Sequence, residues 1–211
     1  MKKSFWIIAA MAGVLFTACE NGDRDFPDFK YSAVYFAYQS PIRTITLGED
    51  PSVDNSLDNE HKCQIMATIA GVYENKKNVE IGIQVDNSLC DGYTFESTKG
   101  DIVPLPTSHY TLSDDKIVIK KGQVLGGVTV NLTDAFFNDP KATELNYVIP
   151  VVMTGVQNAD SILEGKPSVD TPDRVNKEDW EVQSKDYILY AVKYISKYDS
   201  HYLRRGVDTY T

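Results

Sequence analysis

Histidine and cysteine are scarce in this chain, three of each, and their spacing removes most metal and redox chemistry at once. His61, His109 and His201 lie far apart and fit neither H-E-x-x-H nor a comparable ligand spacing. Cys19, Cys63 and Cys90 form no C-x-x-C pair, so no dithiol redox centre is encoded. No G-x-S-x-G elbow and no glycine-rich phosphate loop occurs. The carboxylate pairs Asp114 with Asp115 and Asp134 with Asp139 fall at turn positions, where turn and capping roles outweigh acid–base work. Asp134, Asp139 and Glu144 share one loop but lack the D-x-D-x-D-G spacing of a calcium site, so helix capping and solvated acids describe them better. The reading is a non-enzyme with no cofactor and no metal.

Basic residues are in deficit too: 21 Lys and Arg stand against 30 Asp and Glu, a net charge of −9. The first nineteen residues contribute only Lys2 and Lys3, so the remainder carries −11. Phosphate backbones need cationic neutralisation, which such a surface does not offer, so nucleic acid is excluded as a partner. Anionic headgroups are disfavoured for the same reason. A hydrophobic content of 42% still suffices for a packed core.

The one long apolar run is Phe5 to Phe16. As a helix it reaches roughly 18 Å, short of the roughly 30 Å of a bilayer core. Lys2 and Lys3 precede it, and small residues close it at Thr17-Ala18-Cys19. Residues 1–18 therefore read as an export signal rather than a span. The ending resembles the lipobox of bacterial lipoproteins, with Phe16 where that pattern usually has Leu. The resemblance implies cleavage before Cys19 and acylation of it, with chains such as palmitate holding the protein on the membrane. Residues 19–30 are acidic and contain Pro27, which gives a flexible tether. Glu20, Asp23 and Asp25 are also similar to the surface-export signal of Bacteroidota lipoproteins; a plain solvated linker is the other reading.

Residues 31–196 read as an all-β unit, an antiparallel β-sandwich of about seven strands. The organising stretch is Pro104 to Thr154. Ile117-Val118-Ile119 is β-branched, Val128, Val130 and Leu132 alternate with polar residues, and 147–153 is apolar at both parities. That last strand is expected at the centre of a sheet, as is 186–195. Residues 31–38 give the first strand, with 42–47 continuing its edge. Residues 48–60 read as a loop too polar to pack. Residues 62–70 and 78–86 suggest a hairpin about 74–77, its open end near Cys63 and Cys90. Two cysteines in an oxidising compartment permit one disulfide, while Cys63 in phase with Ile65, Ala67 and Ile69 is equally a small core residue. The 87–107 connection is expected over one end of the sandwich, and Asp134 as the cap of a short helical turn. Residues 206–211 look like the start of a further strand, so 197–211 reads as a linker or the front of a C-terminal module.

Tyr110-Thr111-Leu112, Leu132-Thr133-Asp134-Ala135-Phe136, Tyr147-Val148-Ile149-Pro150, Ala159-Asp160-Ser161-Ile162-Leu163, Asp186-Tyr187 and Tyr202-Leu203-Arg204-Arg205-Gly206 together resemble one known domain. It is the N-terminal immunoglobulin-like domain, formerly of unknown function, of Bacteroidota cell-surface lipoproteins from polysaccharide-utilisation loci. The resemblance implies an outer-membrane, surface-exposed module that works beside other surface uptake proteins. Polysaccharide or oligosaccharide binding, or spacing within an uptake system, is the function it implies. A structural or adhesion module binding a protein partner is the alternative. Trp180, Tyr93, Tyr198 and Tyr202 are the candidate glycan contacts, since sugars stack on exposed aromatic faces. Asp160-Ser161-Ile162 also resembles the O-glycosylation sequence of this phylum, which makes Ser161 a candidate for modification.

Overall fold

A computed structural model describes residues 29–49, 51–196, 198–199 and 206. Cys19 and Tyr202, the export signal and most of the tether and C-terminal segment lie outside these residues.

Two sheets face each other across one core. The first contains β1 (Ala33–Tyr35), β3 (Lys62–Ala70), β6 (Tyr110–Leu112), β8 (Leu125–Leu132) and β10 (Ser161–Ile162), in the order β10-β1-β3-β8-β6. The second contains β2 (Ile42–Thr46), β4 (Val79–Val85), β7 (Lys116–Ile119), β9 (Tyr147–Gln157) and β13 (Tyr187–Ile195), in the order β2-β13-β9-β4-β7. Strand β5 (Val103–Pro104) adds to β9, and β11 (Lys166–Pro167) pairs with β12 (Trp180–Val182) apart from both sheets. The β-sandwich expected from the sequence is present. Its ladders are mixed rather than wholly antiparallel, because β1 with β10, β2 with β13 and β5 with β9 run parallel.

Alternation decides which side chains meet between the sheets. Ile65 on β3, Val128 and Val130 on β8, Ile81 on β4 and Ile117 and Ile119 on β7 are fully or almost fully buried. Each fully buried aliphatic side chain of this kind contributes about 1.5–3 kcal/mol. Strands β9, over 147–153, and β13, over 187–192, are buried on both faces, as their sequences require. Tyr147, Ile149, Val151 and Met153 join Ile188, Tyr190 and Val192 in the inter-sheet core. Val148 and Val152 join Tyr187, Leu189 and Ala191 in a second cluster, which alternation places on the opposite face of the same sheet. Leu89, Cys90 and Phe95 complete that cluster. Within the 87–107 connection, Leu89, Cys90 and Phe95 thus cover the outer face of the second sheet, while Leu105 packs into the inter-sheet core.

Strands β3 and β4 do not form a hairpin. They lie in opposite sheets, and the segment between them crosses the sandwich. Gly71 starts the crossing at φ +82°, where a Cβ would meet the Tyr31 carbonyl oxygen at 2.1 Å. Asn75 then ties the crossing to the 120–123 turn through its amide, which donates to the Lys120 and Gln123 carbonyls at 3.1 Å each. Strands β1 and β2 likewise belong to different sheets, with the switch made over 36–41. Period-two alternation fixes the buried face of a strand but not its hydrogen-bonded neighbour, so both strand pairs read equally well as partners or as facing layers.

The disulfide reading is overturned by the same crossing. Cys63 is a free thiol in the inter-sheet core and Cys90 a free thiol in the outer cluster. Burial pushes both thiols up to about 11. The 48–60 loop also differs from expectation, because it packs through polar side chains. A helical turn at Ser56–Asn59 buries Asp58, which is 2% exposed, pairs with Arg43 and accepts from the Thr46 amide at 2.9 Å. Asn55 donates to the Thr46 carbonyl at 2.9 Å. These bonds occupy backbone groups of edge strand β2, and an occupied edge does not recruit another chain. Thr133 holds the position before the turn Asp134–Phe137, its hydroxyl donating to the Ser108 carbonyl rather than capping, so Asp134 is the first residue of the turn and not its cap.

The sheets close on each other where β7 meets β8. A Cβ on Gly126 would stand 2.3 Å from the Val118 carbonyl oxygen, and that oxygen belongs to the backbone and cannot swing away. Gly126→Ala is expected to cost about 1–3 kcal/mol, the scale of overpacking, read as a lower urea midpoint with an unchanged slope. Gly155→Ala, whose Cβ would meet nothing within 4 Å, should stay within about 0.5 kcal/mol of the parent. Equal midpoints for the two variants would contradict a close seam at Gly126.

Candidate binding cleft

The outer face of the second sheet is apolar, and two loops cover it. The first begins at a tight turn, Asn87–Cys90, whose cap Asp86 accepts from the Ser88 amide at 3.1 Å and hydroxyl at 2.6 Å. Leu89 and Cys90 anchor the turn in the outer cluster. Gly92, at φ +76°, then reverses the chain, a backbone conformation that favours glycine. Tyr93 and Phe95 follow, with Phe95 buried and Tyr93 half-buried at the lip.

The second loop is organised by Asp173. One of its carboxylate oxygens accepts from the Val175 amide at 2.9 Å, and its own amide donates to Asp179 at 2.8 Å. Asn176 caps the next turn, accepting from the Glu178 amide at 3.3 Å and donating to Asp179 at 2.7 Å. Arg174 donates to Asp186 at 3.0 Å, and Asp186 is 4% exposed. The other Asp173 oxygen accepts from the Tyr93 hydroxyl at 2.8 Å, across 80 residues of sequence. The two cover loops are therefore joined by one charge-assisted hydrogen bond. Burial, then the Asp173 carboxylate, push the Tyr93 phenol up to about 12. It remains a neutral donor at any physiological pH.

Between the loops lies a cleft of about 580 Å³, within the range of small-ligand sites of roughly 300–1,000 Å³. Ile42, Val148, Leu189 and Ala191 contribute its apolar lining, with Tyr93 and Phe95 beside them. Glu96, Ser97 and Lys177 line it too and are exposed. The sequence signal for these polar lining residues was weak, since each sits in a polar loop stretch of ordinary composition.

Of the candidate glycan contacts, Tyr93 lines this cleft, and Trp180 lies behind the second loop without lining it. Trp180 donates its indole N–H to the Asp173 carbonyl at 2.8 Å, so Trp180 and Tyr93 both bind Asp173. Trp180 is half-buried at the start of β12, which makes it a brace of the second loop before anything else. Tyr198 is 70% exposed beyond the end of β13 and takes no part in the cleft. Ser161 is half-buried on β10 and borders a different groove of about 660 Å³. The carboxylate before it, Asp160, accepts from the Ser32 amide and hydroxyl at 2.7 Å each.

The loop acids considered for calcium do not converge. Among the described residues no group of three or more His, Cys, Asp or Glu is placed to hold a metal ion. Asp139 instead accepts from the Tyr147 hydroxyl at 2.6 Å and the Lys141 amide at 2.9 Å, and meets His109 Nε2 at 3.2 Å. Ser108 Oγ lies 2.9 Å from His109 Nδ1. This Ser–His–Asp series is a clasp between two turns and the start of β9. Its acid is occupied by three partners.

The fold defines a two-sheet β-sandwich module. Residues 29–160 match a family described as a “-like, N-terminal domain”, and the chain belongs to that family of N-terminal domains. A Bacteroides ovatus protein of unknown function, known from its crystal structure, shares 53% identity at a TM-score of 0.77, over 79% of this chain and 53% of that one. The present chain thus spans about half the length of that relative. A Bacteroides ovatus multidomain protein including DUF1735 is 11% identical at a TM-score of 0.47, over 80% of this chain and 47% of that one. A protein from Bacteroides ovatus ATCC 8483, described as a candidate carbohydrate binding protein, is 17% identical at 0.40, over 76% and 37%. Both of these likenesses are distant. No curated protein matches the chain. The resemblance to a Bacteroidota N-terminal domain holds.

Tyr147 and the Lys141 amide, with His109 adding to them, hold the Asp139 carboxyl below its ordinary 3.8. A depressed carboxylate stabilises the fold above its unfolded pKa, and that contribution is lost as pH falls through the folded one. Asp139→Asn should therefore be less stable than the parent at pH 7, with the gap narrowing as pH falls below the ordinary carboxylate range. Urea midpoints measured down through and below that range test this; a gap that is constant with pH would contradict the clasp.

Proposed function

We propose that this chain is a non-catalytic binding module of the cell surface, lipid-anchored through Cys19, which holds glycan for a polysaccharide-uptake system or spaces a glycan-binding module from the membrane. The observation that carries the reading is the cleft on the outer sheet face. It has an aromatic wall, Tyr93, whose hydroxyl is already committed to Asp173, an apolar lining and polar groups beside it. Sugars present alternating C–H faces and hydroxyl edges, and a fixed aromatic face beside polar groups suits both. Preorganisation helps, because a wall that is ordered beforehand costs no ordering on binding. The commitment of Asp139 to three partners supports a structural rather than hydrolytic role for the Ser108, His109 and Asp139 series.

A second reading has its own observation. Beyond the stretch of β3 that pairs with β1, an apolar opening of about 180 Å³ is lined by Tyr38, Met66 and Leu125, among others. These three are 77%, 40% and 51% exposed. An extended segment of a protein partner could add there as a strand, as in other strand-addition complexes.

The discriminating experiment passes the full chain, purified in detergent, over a panel of plant, host and microbial polysaccharides. Retention on at least one polymer is expected. Tyr93→Ala should weaken it about tenfold or more, the scale of a lost aromatic anchor, while Tyr93→Phe keeps the ring and most of the affinity. No retention by folded protein would remove glycan recognition from this chain and favour the spacer or the protein-partner reading. Anchorage is tested separately. Cys19→Ser is expected to move the protein from the membrane fraction to the soluble one, and an unchanged distribution would refute the lipid anchor.

A further inference from the structure

Besides its aromatic wall, the cleft is lined by one carboxylate and one ammonium, those of Glu96 and Lys177. Both residues are exposed, and neither side chain has a hydrogen-bond or ion-pair partner among the described residues. Among the ionic groups of the two cover loops, these two line the cavity. Asp173, Asp179, Arg174 and Asp186 are all tied into the scaffold. Those four brace the loops, whereas Glu96 and Lys177 line the cavity between them.

Resting on the glycan-binding reading, we infer that the cleft takes an uncharged saccharide, with Glu96 and Lys177 as the residues that set its specificity. A carboxylate accepts from hydroxyl groups and an ammonium donates to them, and such charge-assisted bonds are roughly twice as strong as neutral ones. A neutral sugar offers both donor and acceptor oxygens on its edge and lays its C–H face on Tyr93 and the apolar residues. A purely apolar ligand would gain nothing from either charge. An anionic sugar would gain from Lys177 but meet Glu96 in the same cavity, on a protein whose net charge is already −9. Like-charge juxtaposition of that kind rejects partners. A cationic ligand meets the converse objection at Lys177.

The test titrates the full chain by calorimetry with neutral oligosaccharides derived from glucans, mannans and galactans, and with oligogalacturonate and hyaluronan fragments, at low and high salt. A neutral series should bind with little salt dependence, and Glu96→Gln and Lys177→Met should each weaken it about tenfold. Both substitutions lie on an exposed surface, and an unchanged urea midpoint confirms folding. Preference for the uronates, with affinity that collapses in salt and in Lys177→Met, would overturn the inference and leave the glycan reading standing. Neutral binding that is indifferent to both substitutions would overturn it too, by removing these residues from recognition. Absence of binding by any saccharide would instead overturn the reading on which the inference rests.

Discussion

From Tyr147 to Met153, strand β9 has no face to give to water. Its odd-numbered residues from Tyr147 to Met153 fill the space between the sheets, and Val148 and Val152 are buried on the other side. A sandwich needs only the first of these burials, since an outer sheet face is ordinarily solvated. The second obliges the chain to supply a third layer. It does so with the connections from β4 to β5 and from β11 to β13, which lay Leu89, Phe95 and Val175 over the outer face. The cleft is the gap left where these two covers meet. Its position therefore follows from the hydrophobicity of a single central strand.

Much of this was legible in the sequence because the signal was intrinsic to one strand. Apolar residues at both parities in 147–153 and 186–195 can have few meanings other than a strand covered twice. The pairing of strands was less legible. Cys63, Ile65 and Ile69 announce a buried face, and so do Ile81 and Ile83, yet alternation is silent on whether the two strands adjoin or oppose each other. They oppose, and with that the proposed Cys63–Cys90 bridge loses its geometry. Gly71 carried the missing information, since a left-handed residue pressed against the Tyr31 carbonyl marks a change of direction. Glycine identity alone does not reveal what its absent side chain would strike.

Polar loops were the least legible part, for a physical reason. The sequence from 48 to 60 reads as solvated because Asp, Asn and Ser prefer water to an apolar core. In the fold, Asp58 and Asn55 are attracted to the free backbone of an edge strand. Asn75 holds a crossing loop in the same way. Buried polar groups persist when their hydrogen bonds are complete, and such completeness depends on partners far away in sequence. Asp173 is the plainest instance. Nothing in its neighbourhood of Thr171, Pro172 and Arg174 points to Tyr93, 80 residues earlier.

That long-range bond also explains why the covers could become a recognition surface. A loop that merely shields an apolar sheet has no need of a fixed conformation, and loops with few buried contacts open readily. Here the shield is stitched. Tyr93 reaches Asp173, Trp180 grips the same residue by its carbonyl, and Asp179 and Asn176 close the turn between them. The hydrogen bonds that keep water from Val148 and Leu189 also hold an aromatic ring still at the lip of a cavity. Rigidity demanded by burial and rigidity useful for binding are supplied by the same side chains. Charges not needed for the first purpose, Glu96 and Lys177, remain free to serve the second.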